Sequence, residues 1–154
     1  MRITFTGDSL FSSRQFAKRL DHQILDLLAS SDGAFTNAEF STPNHETAPA
    51  AGRGYVTAVR PDHLDEFNDL HFNLVNFANN HTGDFGTDGI LDTIHETEKR
   101  GIEPLGLGRS LDEAQKAHFI DTAQGRIGIV AASATRAEVF LASHAGNGAI
   151  GRAS

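Results

Sequence analysis

The chain has 154 residues, 39% of them hydrophobic and 21% charged, which suits a single globular domain with a core of its own. Its 20 acidic and 13 basic residues give a net charge of −7, and no Lys/Arg cluster breaks that background, which disfavours a nucleic-acid-binding role, and no nucleic-acid partner is expected. The absence of cysteine excludes disulfides, thiolate metal sites and a cysteine nucleophile.

Met1–Asp8 lacks the apolar stretch of a leader and reads directly as a strand, with Ile3-Thr4-Phe5 as its β run and Gly7-Asp8 as its stop. No apolar run approaches the ~20 residues that span a bilayer. As given, the chain is expected to be soluble and cytoplasmic, with an anchor or leader outside it left open. Phe16, Leu20, Ile24 and Leu27/Leu28 recur at helical spacing and predict a helix from about Ser13 to Ala29, capped by Ser12 or Ser13. After the Ser30–Gly33 break, Ala34–Asn37 predicts a second strand ending in Ala38-Glu39. Residues 41–59, with two prolines and two glycines, read as a long excursion loop, and loops of that length are functional or disordered.

Pro61 suits the first turn of a helix that buries Leu64, Phe67 and Leu70. Phe72–Phe77 predicts a third strand leading into Asn79-Asn80-His81, and a helix follows from about Thr87 to Arg100, closed by Gly101. Pro104–Gly108 reads as a short strand running into a loop, and Ser110-Leu111-Asp112-Glu113 matches a capping box for a short helix. Ala117–Thr122 and Arg126–Ala132 predict a hairpin around Ala123-Gln124-Gly125, while Ala145–Ser154 is small, Gly-rich and without a closing element. Strand and helix alternate, so the expected fold is a layered α/β sandwich with a mostly parallel sheet and a terminal hairpin.

In such folds polar ligands collect beyond the C-terminal ends of the strands. Asp8, Glu39 and Asn80-His81 all fall there, and carboxylate, amide and imidazole together suit cation binding and proton transfer. His81 is the candidate acid, with Asp84 placed three residues on to orient its ring. Asn37, Asn79 and the loop residue His45 complete the set as candidate substrate-binding residues. Solvated helix faces account for His22, His63 and His95, and His71 and His118 flank strands without partners. His144 stands as a further ligand candidate, though without a carboxylate context. Neither a Gly-x-Ser-x-Gly elbow nor a phosphate loop is present, and Gly106-Leu107-Gly108 lacks the third glycine of a dinucleotide site.

Taken together, several pieces resemble the poly-γ-glutamate capsule-synthesis (CapA-like) family of the calcineurin-like metallophosphoesterase superfamily. They are Gly7-Asp8, Asn37-Ala38-Glu39, Ala78–His81 with Asp84-Phe85-Gly86 and Gly89, then Gly101-Ile102, Gly106–Arg109 with Ala114, and Gly125-Arg126-Ile127. The resemblance runs from about residue 2 to 132. It implies a metallophosphoesterase-like domain with two divalent ions (Mn, Fe, Zn and Ca are not distinguished), held by Asp8, Glu39 and Asn80, with His81 near the leaving group. It also implies a phosphate-containing or polyanionic substrate and a role in capsule polymer biosynthesis.

The chain departs from the superfamily in two places. Asp8-Ser9-Leu10 lacks the histidine of the usual Asp-x-His pair, and the later His-bearing strand ends have no counterpart. Residues 1–154 are therefore expected to form one domain, the N-terminal part of the full unit, whose open sheet edge invites homo-oligomers. The rival expectation is a non-catalytic binding or scaffold module that keeps the fold with an incomplete metal site.

Overall fold

The computed structural model describes residues 1–133 and the pair Gly151–Arg152. Four parallel strands form the central sheet in the order β1 (Ile3–Ser9), β2 (Gly33–Ala38), β3 (Leu74–Asn76) and β4 (Pro104–Leu105). The helices α1 (His22–Ala29), α2 (Asp65–Asp69) and α3 (Gly86–Lys99) connect them. Strand β5 (Leu107–Gly108) and helix α4 (Leu111–Ala114) follow, then an antiparallel hairpin of β6 (His118–Thr122) and β7 (Gly125–Ile129). The expected α/β fold, mostly parallel with a terminal hairpin, is what the chain adopts. One expectation fails at the far end: Gly151–Arg152 forms β8, antiparallel to β5, so this tail does carry a closing element.

Side-chain alternation assigns the two faces of the sheet. Ala34, Ala38 and Val75 point into a core shared with Leu28, Leu64, Phe67, Ile90 and Ile94 from the helical layer. Ile3, Phe5, Gly33, Phe35 and Leu74 occupy register partners on the other face. There Ile120 of the hairpin comes so close that a Cβ at Gly33 would lie 3.2 Å from its Cδ1. Helices, sheet and hairpin thus make three layers.

Two elements differ from their sequence expectation in ways that bear on the site. β1 does not stop at Phe5 but runs on to Ser9, through a register irregularity between Phe5 and Asp8. Asp8 is therefore a strand residue, paired with Asn37. The helix expected over 13–29 breaks into a 3-10 turn at Phe16–Lys18 and α1, whose N-cap is Asp21, accepting from the Gln23 N–H at 2.8 Å. Its cause lies elsewhere in the chain. The buried Glu66 carboxylate takes the N–H groups of Gln15 (2.7 Å) and Phe16 (2.9 Å), and Gln15 adopts φ 65°, which no helix allows. Ser13 caps nothing; its hydroxyl accepts from Arg19.

Smaller differences have local causes. β3, Leu74–Asn76, is shorter than Phe72–Phe77: the rings of Phe72 and Phe77 enter the aromatic core at its two ends, and the Phe77 N–H makes a last bond to the Leu105 carbonyl of β4 at 2.9 Å. The Pro61 helix begins as a 3-10 turn, Pro61–Leu64, before α2. The capping box at α4 is made on one side: Ser110 accepts from the Glu113 N–H, while Glu113 reaches the Arg109 N–H instead of that of Ser110. Loop 41–59 is tied across its base by a bridge between Ser41 and Ala58. No helix among the described residues is long and apolar enough to cross a membrane.

Candidate functional site

Parallel strands end at the same edge of the sheet, and here their ends carry a row of polar residues. Asp8, Asn37 and Asn76 are register partners across β1, β2 and β3. Their side chains link accordingly: Asn76 Nδ2 donates to Asn37 Oδ1 at 2.9 Å, and Asn37 Nδ2 donates to Asp8 Oδ1 at 2.8 Å. Glu39 lies two residues beyond Asn37, so the pleat keeps it on the same side. Its carboxyl meets that of Asp8. Burial raises Glu39 above the ordinary glutamate value, a hydrogen bond and repulsion from Asp8 add to the rise, and the nearby His81 partly opposes it.

The turn after β3 supplies the second half of the site. Asn79 is buried, and its Oδ1 receives the N–H groups of His81 (2.9 Å) and Thr82 (3.1 Å). Its Nδ2 donates to Asn37 Oδ1 (3.1 Å) and to the Ala38 carbonyl (2.8 Å), which locks the turn onto the end of β2. The Thr82 hydroxyl donates to the Phe77 carbonyl beneath, and Ser41 Oγ donates to the His81 carbonyl at 2.8 Å. This accounting leaves the backbone of an irregular, half-buried turn well satisfied.

His81 Nδ1 lies 2.8 Å from Asp84 Oδ2, and that carboxylate is fully buried. The same oxygen accepts the Thr57 N–H at 2.7 Å, and Thr57 Oγ1 lies 3.3 Å from His81 Nδ1. Arg53 Nη2 sits 3.1 Å from Asp84 Oδ1 and donates to the Asn80 carbonyl at 2.9 Å. The Tyr55 ring meets the His81 imidazole edge-on, centroids 5.8 Å apart. Facing a carboxylate, Nδ1 is the protonated nitrogen by network logic, which leaves Nε2 as the nitrogen with a free lone pair in the neutral ring.

Of the residues singled out by sequence, Asp8, Asn37, Glu39, Asn79, His81 and Asp84 are brought into one connected network. Asn80 belongs to the same turn, and the structure fixes it through its carbonyl. His45 is not brought there. It is exposed beside Glu46 at 3.7 Å and lines a separate cavity with Asn44, Thr47, Arg60 and Arg100. His144 lies outside the described residues. Asn76, Arg53, Tyr55 and Thr57 were not anticipated. Strand phasing would have found Asn76, since it holds in β3 the place of Asn37 in β2. The other three sit in a loop without periodicity, where only the Arg-Gly-Tyr composition stands out.

A second cavity, of about 800 Å³, opens next to the centre between Leu10–Arg14 and Tyr55–Arg60. Its wall carries Arg14, Arg60 and His63 with the hydroxyls of Ser12, Ser13 and Tyr55, and no Asp or Glu lines it. Both arginines are paired, Arg14 with Asp62, Asp65 and Glu66 and Arg60 with Asp62, so the cleft presents hydroxyls and ion-paired guanidinium groups rather than a surplus of positive charge. Among the described residues, no group of three or more His, Asp and Glu side chains is arranged to hold a metal ion.

Comparison with known proteins gives the chain its relatives. The family model described as bacterial capsule synthesis protein PGA_cap matches residues 2–150. An uncharacterized protein of Sinorhizobium fredii, y4sH, is 30% identical over 112 residues, which is 70% of this chain and 24% of that protein. The PGA biosynthesis protein CapA of Bacillus subtilis is 30% identical over 89 residues, 53% of this chain and 23% of its own length. The matched stretch is thus about a quarter of each relative.

Proposed function

The chain belongs to the bacterial capsule synthesis family PGA_cap, and on that premise we propose that its acidic centre is a metal-dependent, phosphoesterase-type hydrolytic site serving poly-γ-glutamate or capsule polymer metabolism. One observation carries this reading: the Asp8 and Glu39 carboxyls meet at the strand ends, where burial and the neighbouring Asp8 raise Glu39 above the ordinary glutamate value. Two carboxyls that repel each other, Glu39 partly buried and Asp8 exposed, form a site that a divalent cation relieves. The donors present suit one hard ion, since the carboxylates of Asp8 and Glu39 and the amide oxygen of Asn80, with water, approach a coordination number of about six. A second ion, as in the superfamily, would draw on ligands beyond these three. When bound, such an ion supplies Lewis acidity toward a phosphoryl oxygen and a more acidic water.

The chain's own residues supply the rest. With Nδ1 engaged by Asp84, His81 delivers or receives its exchangeable proton at Nε2. Asn37 and Asn79 hold the turn and the strand end together, which keeps His81 beside Glu39. The cleft next to Tyr55 and Thr57, with the hydroxyls of Ser12 and Ser13 on its wall, is where a phosphate-containing or polyanionic substrate would lie, with one end at His81.

A non-catalytic binding module is the second reading, favoured by the lack of a complete metal-ligand group among the described residues. The test is Mn²⁺ affinity by calorimetry together with turnover of an aryl phosphodiester. The hydrolase reading expects Mn²⁺-dependent turnover that falls at least ~100-fold in His81→Ala, and loss of Mn²⁺ binding in Glu39→Gln. Binding of an anionic polymer with no turnover at any Mn²⁺ concentration supports the module instead.

A further inference from the structure

We infer that residues 50–57 form a strap that positions His81, and that Arg53 acts through Asp84 to fix which nitrogen of the imidazole carries its proton. The role rests on the reading of His81 as the proton-transferring group, but its test does not depend on turnover. Arg53 is nearly as buried as Asp84, with side-chain exposures of 8% and 0%. A single nitrogen, Nη2, reaches both the Asn80 carbonyl and Asp84 Oδ1. These partners flank His81 in sequence, so the guanidinium spans the turn that carries the ring. The strap holds Asp84 at two further points: the Ala50 N–H donates to its carbonyl at 2.9 Å, and the Thr57 N–H to its Oδ2. Tyr55, between them, lies against the ring itself.

The chemistry follows from the two oxygens of Asp84 having different partners. A buried carboxylate facing a guanidinium stays an anion and can only accept hydrogen bonds, so the imidazole nitrogen opposite must donate. Without the guanidinium, Asp84 Oδ1 and the Asn80 carbonyl lose the group that ties them together, the carboxylate is no longer held against Nδ1, and the preference for the Nδ1–H form weakens. In that exchange the ring's single proton moves from Nδ1 to Nε2 through water; no other bond changes. Arg53 touches neither substrate nor reacting atoms in this scheme and is a positioning residue.

The experiment is tautomer detection by two-bond ¹H–¹⁵N correlation on ¹⁵N-histidine-labelled chain, at one pH where the ring is neutral, with the His81 signals assigned by their loss in His81→Ala. The parent is expected in the Nδ1–H form. Arg53→Gln is expected to raise the ratio of Nε2–H to Nδ1–H roughly tenfold. Arg53→Lys keeps a charge on a shorter side chain that does not span both partners, and falls in between. If Arg53→Gln does not fold, Arg53→Lys decides, with a rise of at least about twofold required. A parent already in the Nε2–H form, or an unchanged ratio in a folded Arg53 variant, overturns the inference. If the tautomer shifts as described while no variant or parent turns over substrate, the hydrolase reading fails and the positioning role stands.

Discussion

Glu39 illustrates how one side chain ties stability to function. Its folded-state value lies above the ordinary 4.5, first because it is partly buried and then because Asp8 is beside it. A group raised on folding stabilises the native state below its unfolded value and loses that contribution as pH climbs through the folded value. The metal-free protein should therefore lose stability from about pH 4.5 upward through this group. Glu39→Gln removes the conflict. Thermal melts of the metal-free chain should show the variant more stable than the parent at pH 7 and equal to it at pH 4, and added Mn²⁺ should stabilise only the parent. That Asp8, Glu39 and His81 converge was legible from sequence because each follows or ends a strand-like run, whereas Asn80 is tied into the turn only through its carbonyl. Arg53 and Thr57 were not, because Thr57 reaches Asp84, and Arg53 the Asn80 carbonyl, across a 27-residue separation set only by how the loop folds back.

At the level of elements, Glu66 decides what becomes of the segment before α1. Its carboxylate is buried in α2, which by itself raises its value, yet the N–H groups of Gln15 and Phe16 and the Arg14 guanidinium outweigh burial and hold it below the ordinary range. The sign is then opposite to that of Glu39: the contribution is present above pH 4.5 and fades as acid protonates the group. Glu66→Gln should cost about 2 kcal/mol near neutrality, less at pH 3, measured by urea unfolding at both values. The helical spacing of Phe16 and Leu20 was genuine, but periodicity does not report a carboxylate fifty residues away that competes for backbone N–H groups. Elements whose ends are set locally fared better, as with the Ser110 cap of α4.

For the molecule as a whole, the helical face of the sheet closes over an aromatic cluster. Phe67 has ring neighbours at 4.8 Å (Phe11), 6.0 Å (Phe40) and 6.4 Å (Phe72 and Phe77), and is fully buried. Phe67→Ala should cost about 4 kcal/mol by cavity formation, read from denaturant midpoints at unchanged slope. The same rings back the segments that carry the site, since Phe40 follows Glu39 and Phe77 precedes the Asn-Asn-His turn. The opposite face is more open, with Phe5 71% exposed at the edge strand. Layer order and strand direction could be read from alternating patterns, whereas the pairing of β8 with β5 could not, since two residues carry no period.

The irregularity in β1 has its own consequence. From Phe5 to Asp8 the first strand uses three steps where its neighbour uses two, from Phe35 to Asn37. Were the ladder regular, Gly7 would stand opposite Asn37 and the carboxylate would turn inward among the apolar side chains of the helical layer. Loss of Gly7 alone would therefore leave the acid where it is, whereas loss of a residue from the matching stretch of β2 would throw Asn37 and Glu39 out of phase with it. Length changes in these two neighbouring strands are thus not equivalent, and only one of them spares the site.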